Sequence, residues 1–201
     1  ADASAALARA ARDARAAFPH AQRKYVPLYK QSGSVSHYQL LEHGPAIQRL
    51  YHDPSWLALL EELTGERLSV CPNDDPHATA IYYYTEPGDH IGFHYDVSHY
   101  DGKRFTVLVG LEDDSSSRLV CHPFRKHDPA RADEELVFAP RPGTVVLFTG
   151  DNSHPGVTPV AAGERRAHPP FCVGRAPDQR PDGADWGRAR RSAAGTGDRA
   201  C

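Results

Sequence analysis

The run HIGFHYD, residues 90–96, carries an imidazole and a carboxylate two positions apart, His94 and Asp96. That donor pair suits a divalent transition metal such as iron. In an extended strand, residues i and i+2 project from one face. Both side chains can then reach a single ion while Tyr95 faces away. The segment follows an apolar run and the Pro87–Gly88 turn, which places it on a short strand. A second His-x-Asp, His99 with Asp101, runs straight into Gly102 and Lys103 and reads as a solvated loop pair. For a third donor, the histidines after Asp96 are His99, His122, His127, His154 and His168. His154 stands out by context: it follows the apolar VVLFT and is followed by Gly163, Glu164 and Arg165. Two imidazoles and one carboxylate leave three positions of an octahedral iron open, the arrangement of non-haem Fe(II) oxygenases.

Such a site needs a rigid frame. From residue 68 onward, apolar segments are short and separated by turn residues. Strands are expected near 68–71, 78–85, 90–96, 104–111, 117–122, 135–139, 144–149, 155–160 and 165–173. Many short strands with no helices between them argue for a mainly β jelly roll or barrel rather than a parallel α/β sheet. Upstream, 3–18 is Ala-rich and helical by propensity. Residues 45–52 read as a short helix, and Asp53–Pro54 opens another that stops at Gly65. In that helix Trp56, Leu59, Leu60 and Leu63 recur at helical spacing and read as core. The chain thus divides into a helical support region (1–65) that braces the sheet, a β core (66–173) and a disordered tail (174–201). The tail is mostly Gly, Ala, Arg, Asp and Pro, too poor in apolar surface to offset its ordering entropy.

Composition excludes several classes. A net charge of -3 supplies no basic field for a nucleic-acid backbone. No apolar run approaches the ~20 residues that cross a membrane, and no segment has the layout of an export signal. The four cysteines make no CxxC, which fits a reduced, cytoplasmic chain better than a disulfide scaffold.

With His94, Asp96, His154 and Arg165 in this order, the chain resembles the Fe(II)/2-oxoglutarate-dependent oxygenases over about residues 66–168. The resemblance implies a double-stranded β-helix with N-terminal bracing helices, and Fe(II), 2-oxoglutarate and O2 as cofactor and cosubstrates. Within that superfamily HIGFHYDVSHYDGKRFTVLVGLEDDSSSRL is most similar to bacterial enzymes that hydroxylate or chlorinate free amino acids such as lysine. The implied metal ligands are His94, Asp96 and His154. The far carboxylate of 2-oxoglutarate calls for a planar, bidentate partner. Arg165 is assigned that role, with Arg166 in reserve, because strand alternation turns only one of them inward. Tyr84 stands where the family commonly has a tyrosine on the same cosubstrate, and Tyr82, on the same face, is its reserve. The implied reaction couples decarboxylation of 2-oxoglutarate to hydroxylation of an unactivated C–H in a small polar substrate.

Two features depart from the family pattern. His154-Pro-Gly-Val has one residue more before Val-Thr-Pro than the commoner spacing. A one-residue slip reverses the face of a strand, so His154 needs a bulge or bent loop, which Gly156 would permit. Pro169 and Pro170 are poor residues for a paired strand. Both leave room for a non-catalytic member of the fold that acts as a binding protein. Asp96 argues against halogenation, since halogenases replace that carboxylate with a small residue. A peptidyl hydroxylase is the other alternative. Asp74, Asp75, Asp89 and Asp113 could meet a cationic substrate, although a solvated loop is the more ordinary role for each.

Overall fold

A computed structural model describes residues 3–96 and 103–175. His99, Asp101 and the tail from residue 176 lie outside the described residues. Among the described residues, thirteen strands form two curled antiparallel sheets. They are β1 (Gln22–Val26), β2 (Lys30–Val35), β3 (Leu68–Val70), β4 (Ile81–Tyr84), β5 (His90–Ile91), β6 (Arg104–Val109), β7 (Glu112–Asp114), β8 (Leu119–His122), β9 (Leu136–Phe138), β10 (Val145–Thr149), β11 (His154–Val157), β12 (Arg165–His168) and β13 (Pro170–Arg175). The larger sheet runs β7-β12-β4-β2-β5-β11-β8-β9 with β1 on β2, and the smaller runs β10-β6-β13-β3. This is the double-stranded β-helix that the sequence led us to expect.

The helices α1 (Ala3–Ala17), α2 (His37–His43), α3 (Pro45–Tyr51) and α4 (Pro54–Thr64) pack outside. Helix α1 offers Ala10, Ala14 and Ala17, all buried, so backbone can approach backbone. Tyr83 reaches it, its hydroxyl donating to the Ala14 carbonyl at 2.6 Å. Helix α4 begins where Asp53 accepts from the Ser55 amide and ends at Gly65, whose φ of 65° is the left-handed cap glycine favours. Its stripe is core only in part. Leu60 is buried and Trp56 half-buried, but Leu59 and Leu63 face outward.

Two cores result. One lies between helices and sheet and holds Leu40, Ile47, Tyr51, Leu60, Tyr83, Val107 and Phe171. The other lies between the sheets and holds Tyr84, Ile91, Leu108, Leu119, Cys121, Val146 and Val157. Tyr83 belongs to the first and Tyr84 to the second, as strand alternation demands.

Residues 22–35, polar and without clear periodicity, form β1 and β2, and β2 sits between β4 and β5 in the sheet. The two prolines also find a place. Pro169 separates β12 from β13, where the chain passes from one sheet to the other. Their carbonyls still accept, Pro169 from the Val109 amide at 3.2 Å and Pro170 from the Ala80 amide at 3.4 Å. Only the missing N–H groups are lost, at the point where pairing changes.

Candidate metal centre and cosubstrate pocket

Strand β5 is shorter than expected. It ends at Ile91, so His94 and Asp96 stand on an extended segment beyond it rather than within a strand. That segment is tied down by its backbone. The Gly92 amide donates to the Tyr29 carbonyl at 2.6 Å, the His94 amide to Pro155 at 3.1 Å and the Asp96 amide to Gly150 at 2.8 Å. Gly150 makes the last contact possible, because a Cβ there would stand 2.6 Å from the Asp96 Cβ.

The two side chains converge, with His94 Nε2 3.3 Å from Asp96 Oδ1. His94 Nδ1 lies 2.9 Å from the Gly92 carbonyl, which fixes the proton there and leaves Nε2 as the donor atom for a metal. The Thr106 hydroxyl donates to Asp96 Oδ2 at 2.7 Å and sets that carboxylate's orientation. Burial pushes the Asp96 carboxyl up, but the hydrogen bonds from His94 and Thr106 outweigh it and hold it below the usual range. Thr106 was not foreseen; its signal is an inward hydroxyl at β6, between Arg104 and Leu108.

His154 does not join them. It opens β11, paired with His122 in a register that continues unbroken through Val157 opposite Leu119. Pro155 and Val157 line the cavity, as does the backbone of Gly156, whereas His154 is not among the lining residues and by strand alternation projects from the opposite face. There the His154 ring stacks on Phe93, with centroids 5.3 Å apart, and lies 5.8 Å from His122. Phe93 in turn covers Gly156, where a Cβ would meet its ring at 2.9 Å. The bulge that the extra residue calls for is not formed. Among the described residues, no group of three His, Cys, Asp or Glu side chains is placed to hold a metal ion.

The arginine pair resolves opposite to the expected order. Arg165 is on the outer face, its side chain 63 % exposed and its Nε 3.0 Å from Glu112. Arg166 pairs with Tyr84 across β12 and β4 and is 1 % exposed. Since paired residues share a face, Arg166 and His168 lie with Tyr84 and Tyr82 on the inner side. The Arg166 guanidinium makes one long contact, Nη1 to the Ser117 hydroxyl at 3.3 Å. Its Nε and Nη2, the Tyr84 hydroxyl and His168 Nδ1 are buried without a hydrogen-bond partner among the described residues. Burial pushes the Tyr84 hydroxyl well up and the His168 imidazole well down. Buried polar atoms are nearly always paired. A cluster of unpartnered polar atoms around a buried guanidinium has the chemistry that an anion would satisfy, and Tyr84 and His168, though not Arg166 itself, line the adjoining cavity.

A cavity of about 690 Å³ opens beside these groups, reached by Tyr82, Tyr84, His94, Asp96, Thr106 and His168. Of the four aspartates considered for a cationic substrate, none lines it. Asp89 is fully buried, receiving both Arg23 Nη atoms at 2.6 and 2.7 Å and the amides of Thr85 and Glu86. No described helix is long and apolar enough to cross a membrane.

No family model and no curated protein sequence matches the chain. Solved structures do. SnoN, a non-heme alpha ketoglutarate dependent epimerase from nogalamycin biosynthesis, is 17 % identical with a TM-score of 0.69, covering 92 % of this chain and 82 % of its own. SnoN is also known in complex with Fe3+, alpha ketoglutarate and nogalamycin RO. A Pseudomonas putida prolyl-4-hydroxylase is 14 % identical with a TM-score of 0.58, covering 87 % of this chain and 88 % of its own. A Trichoplax adhaerens prolyl hydroxylase, solved with a hypoxia inducible factor peptide fragment, is 15 % identical with a TM-score of 0.62, covering 85 % and 79 %. At these identities the likeness establishes the architecture: the chain is built on the double-stranded β-helix that these alpha ketoglutarate dependent epimerase and prolyl hydroxylase structures share.

Proposed function

We propose that the chain is a non-haem Fe(II)/2-oxoglutarate-dependent oxygenase that hydroxylates an unactivated C–H of a small polar substrate, a free amino acid being the leading class. The observation that carries this reading is the set of orphaned donors on Arg166, Tyr84 and His168, beside the convergent His94–Asp96 pair. An imidazole whose Nε2 converges with a carboxylate held ionised is a donor pair that fits iron. The buried guanidinium fits the far carboxylate of 2-oxoglutarate. His94 and Asp96 would hold the metal; His154, which faces Phe93 on the other side of β11, would complete the set only with its side chain turned inward. Arg166 and Tyr84 would anchor the cosubstrate, and Tyr82 lines the same wall. When bound, the iron and 2-oxoglutarate supply the oxidising chemistry with O2, releasing succinate and carbon dioxide. The chain's own residues would orient the metal ligands, through the Gly92 carbonyl and the Thr106 hydroxyl, and fix the cosubstrate's far end.

A second reading has its own observation. With His154 stacked on Phe93 on the far face, the fold is retained by a binding protein that lacks full activity. One experiment decides between them. Protein given Fe(II), 2-oxoglutarate and O2 is offered free amino acids one at a time, and succinate and substrate mass are followed. The oxygenase reading expects substrate-stimulated succinate, one added oxygen and no chlorinated product in high chloride. In the same assay His154→Ala abolishes turnover, while His122→Ala leaves most of it. Activity that survives His154→Ala removes His154 from the ligand set; no succinate under any condition favours the binding protein.

A further inference from the structure

The cavity beside the candidate metal centre has a lopsided charge. Lys24, Lys30 and Arg104 line it, whereas Asp96 is the one carboxylate among its described lining residues. Asp96 is already engaged by His94 and Thr106. Arg166 adds a further buried cation behind Tyr84. Arg104 is engaged by the Cys172 sulfur and the His77 carbonyl and lies near Asp75, so the cations that a substrate ammonium would face here are Lys24 and Lys30.

Lys30 is the most telling of these groups. It lies at the start of β2 on the face that Ser34 and Tyr82 share, since Ser34 pairs with Tyr82 across β2 and β4. Its ammonium sits over the Tyr82 ring, 4.0 Å from the centroid. Among the described residues no carboxylate lies within ion-pair distance of it. Burial, with Lys24 nearby, brings its amine down to about 8, against the opposing pull of Asp96. A half-buried ammonium resting on an aromatic face keeps some stabilisation from the ring. It still lacks the anion that would ordinarily accompany it. The same cavity also has an apolar part to its wall, which includes Ile91, Phe148, Pro155 and Val157.

We infer that Lys30 is a specificity-determining residue that receives a carboxylate of the substrate, so that the substrate is an organic acid with an apolar body and no additional positive charge. The inference rests on the oxygenase reading and narrows it. A free amino acid meets it through its own carboxylate, and neutral or apolar side chains are favoured over lysine-like ones. The far carboxylate of 2-oxoglutarate has its own cradle at Arg166, on β12, which leaves Lys30 to the second molecule.

The test uses an isosteric pair that differs only in charge, 3-phenylpropionate and 3-phenylpropionamide. Binding of each to the purified protein is measured by calorimetry with 2-oxoglutarate saturating, so that the cosubstrate's site is filled. The acid is expected to bind roughly tenfold or more tightly than the amide, a typical return for one charge-assisted contact. Lys30→Gln should erase that preference and leave amide binding unchanged. Lys30→Arg should keep it, and an unaltered thermal unfolding profile of both variants shows that the fold is intact. Equal binding of acid and amide by the parent protein overturns the inference. So does a loss of 2-oxoglutarate affinity in Lys30→Gln, since Lys30 would then serve the cosubstrate. Neither result touches the oxygenase reading, whose failure would appear as absent metal and 2-oxoglutarate binding in the parent protein.

Discussion

Replacing His94 or Asp96 by alanine is expected to abolish iron-dependent formation of succinate from 2-oxoglutarate and to leave no iron on the protein after gel filtration. The two side chains meet at 3.3 Å, each oriented by a second partner, the Gly92 carbonyl for one and the Thr106 hydroxyl for the other. Loss of either leaves the ion with one protein donor on this segment. Thr106→Val keeps the shape of the β6 side chain and removes only the hydroxyl. Outer partners of metal ligands are commonly worth about 10–100-fold in affinity or activity, so this variant should fall between parent and alanine mutants. Alanine at His99 or Asp101 should change little. If Asp101→Ala removes iron while Asp96→Ala retains it, the other His-x-Asp is the ligand pair.

The second large effect is at Arg166. Arg166→Ala is expected to raise the 2-oxoglutarate requirement strongly while iron binding persists. Truncating one partner of a buried charged pair costs roughly 2–5 kcal/mol, and each 1.4 kcal/mol is about tenfold. Arg165→Ala removes an exposed contact with Glu112, and exposed pairs contribute about 0–1 kcal/mol. Its 2-oxoglutarate dependence should match the parent's. Steady-state titration of the cosubstrate separates the two, with thermal unfolding as the check that Arg166→Ala still folds. An effect confined to Arg165→Ala would mean that the outer arginine serves the cosubstrate.

These expectations show where sequence was informative. The caps of α4 could be read because Asp53, Pro54 and Gly65 each act locally, through a side-chain acceptor, a fixed φ and a left-handed φ. The β architecture was legible from short apolar runs between turns. The parity of a strand is a different matter. Which of Arg165 and Arg166 turns inward depends on register with Tyr84 and Asp113, neighbours far away in sequence. For His154 the count of residues to Val157 already stated the difficulty. The continuous pairing of β11 with β8, with Phe93 filling the space over Gly156, realises the reversed face.

Strands β1 and β2 were hidden for a related reason. Gln22–Val26 is exposed along its whole length, so it has no apolar alternation to display. It is a strand because β2 pairs with it, and β2 is one because β4 and β5 flank it. With β2 came Lys30, a residue that looks like an ordinary surface lysine until the sheet folds it into the cavity. Asp89 misled in the other direction. A carboxylate two residues past Pro87 reads as a solvated turn or a substrate contact, yet it is fully buried and closes on Arg23 from β1.

The central claim is that this fold holds Fe(II) through His94 and Asp96 with 2-oxoglutarate anchored at Arg166. Anaerobic addition of Fe(II) and then 2-oxoglutarate to the purified protein, followed by visible absorption, tests it most directly. The account predicts the weak charge-transfer band of the iron–2-oxoglutarate chelate, absent with iron alone, lost in Asp96→Ala, and needing far more 2-oxoglutarate in Arg166→Ala. A parent protein that shows no band at saturating Fe(II) and 2-oxoglutarate, although folded, would contradict it.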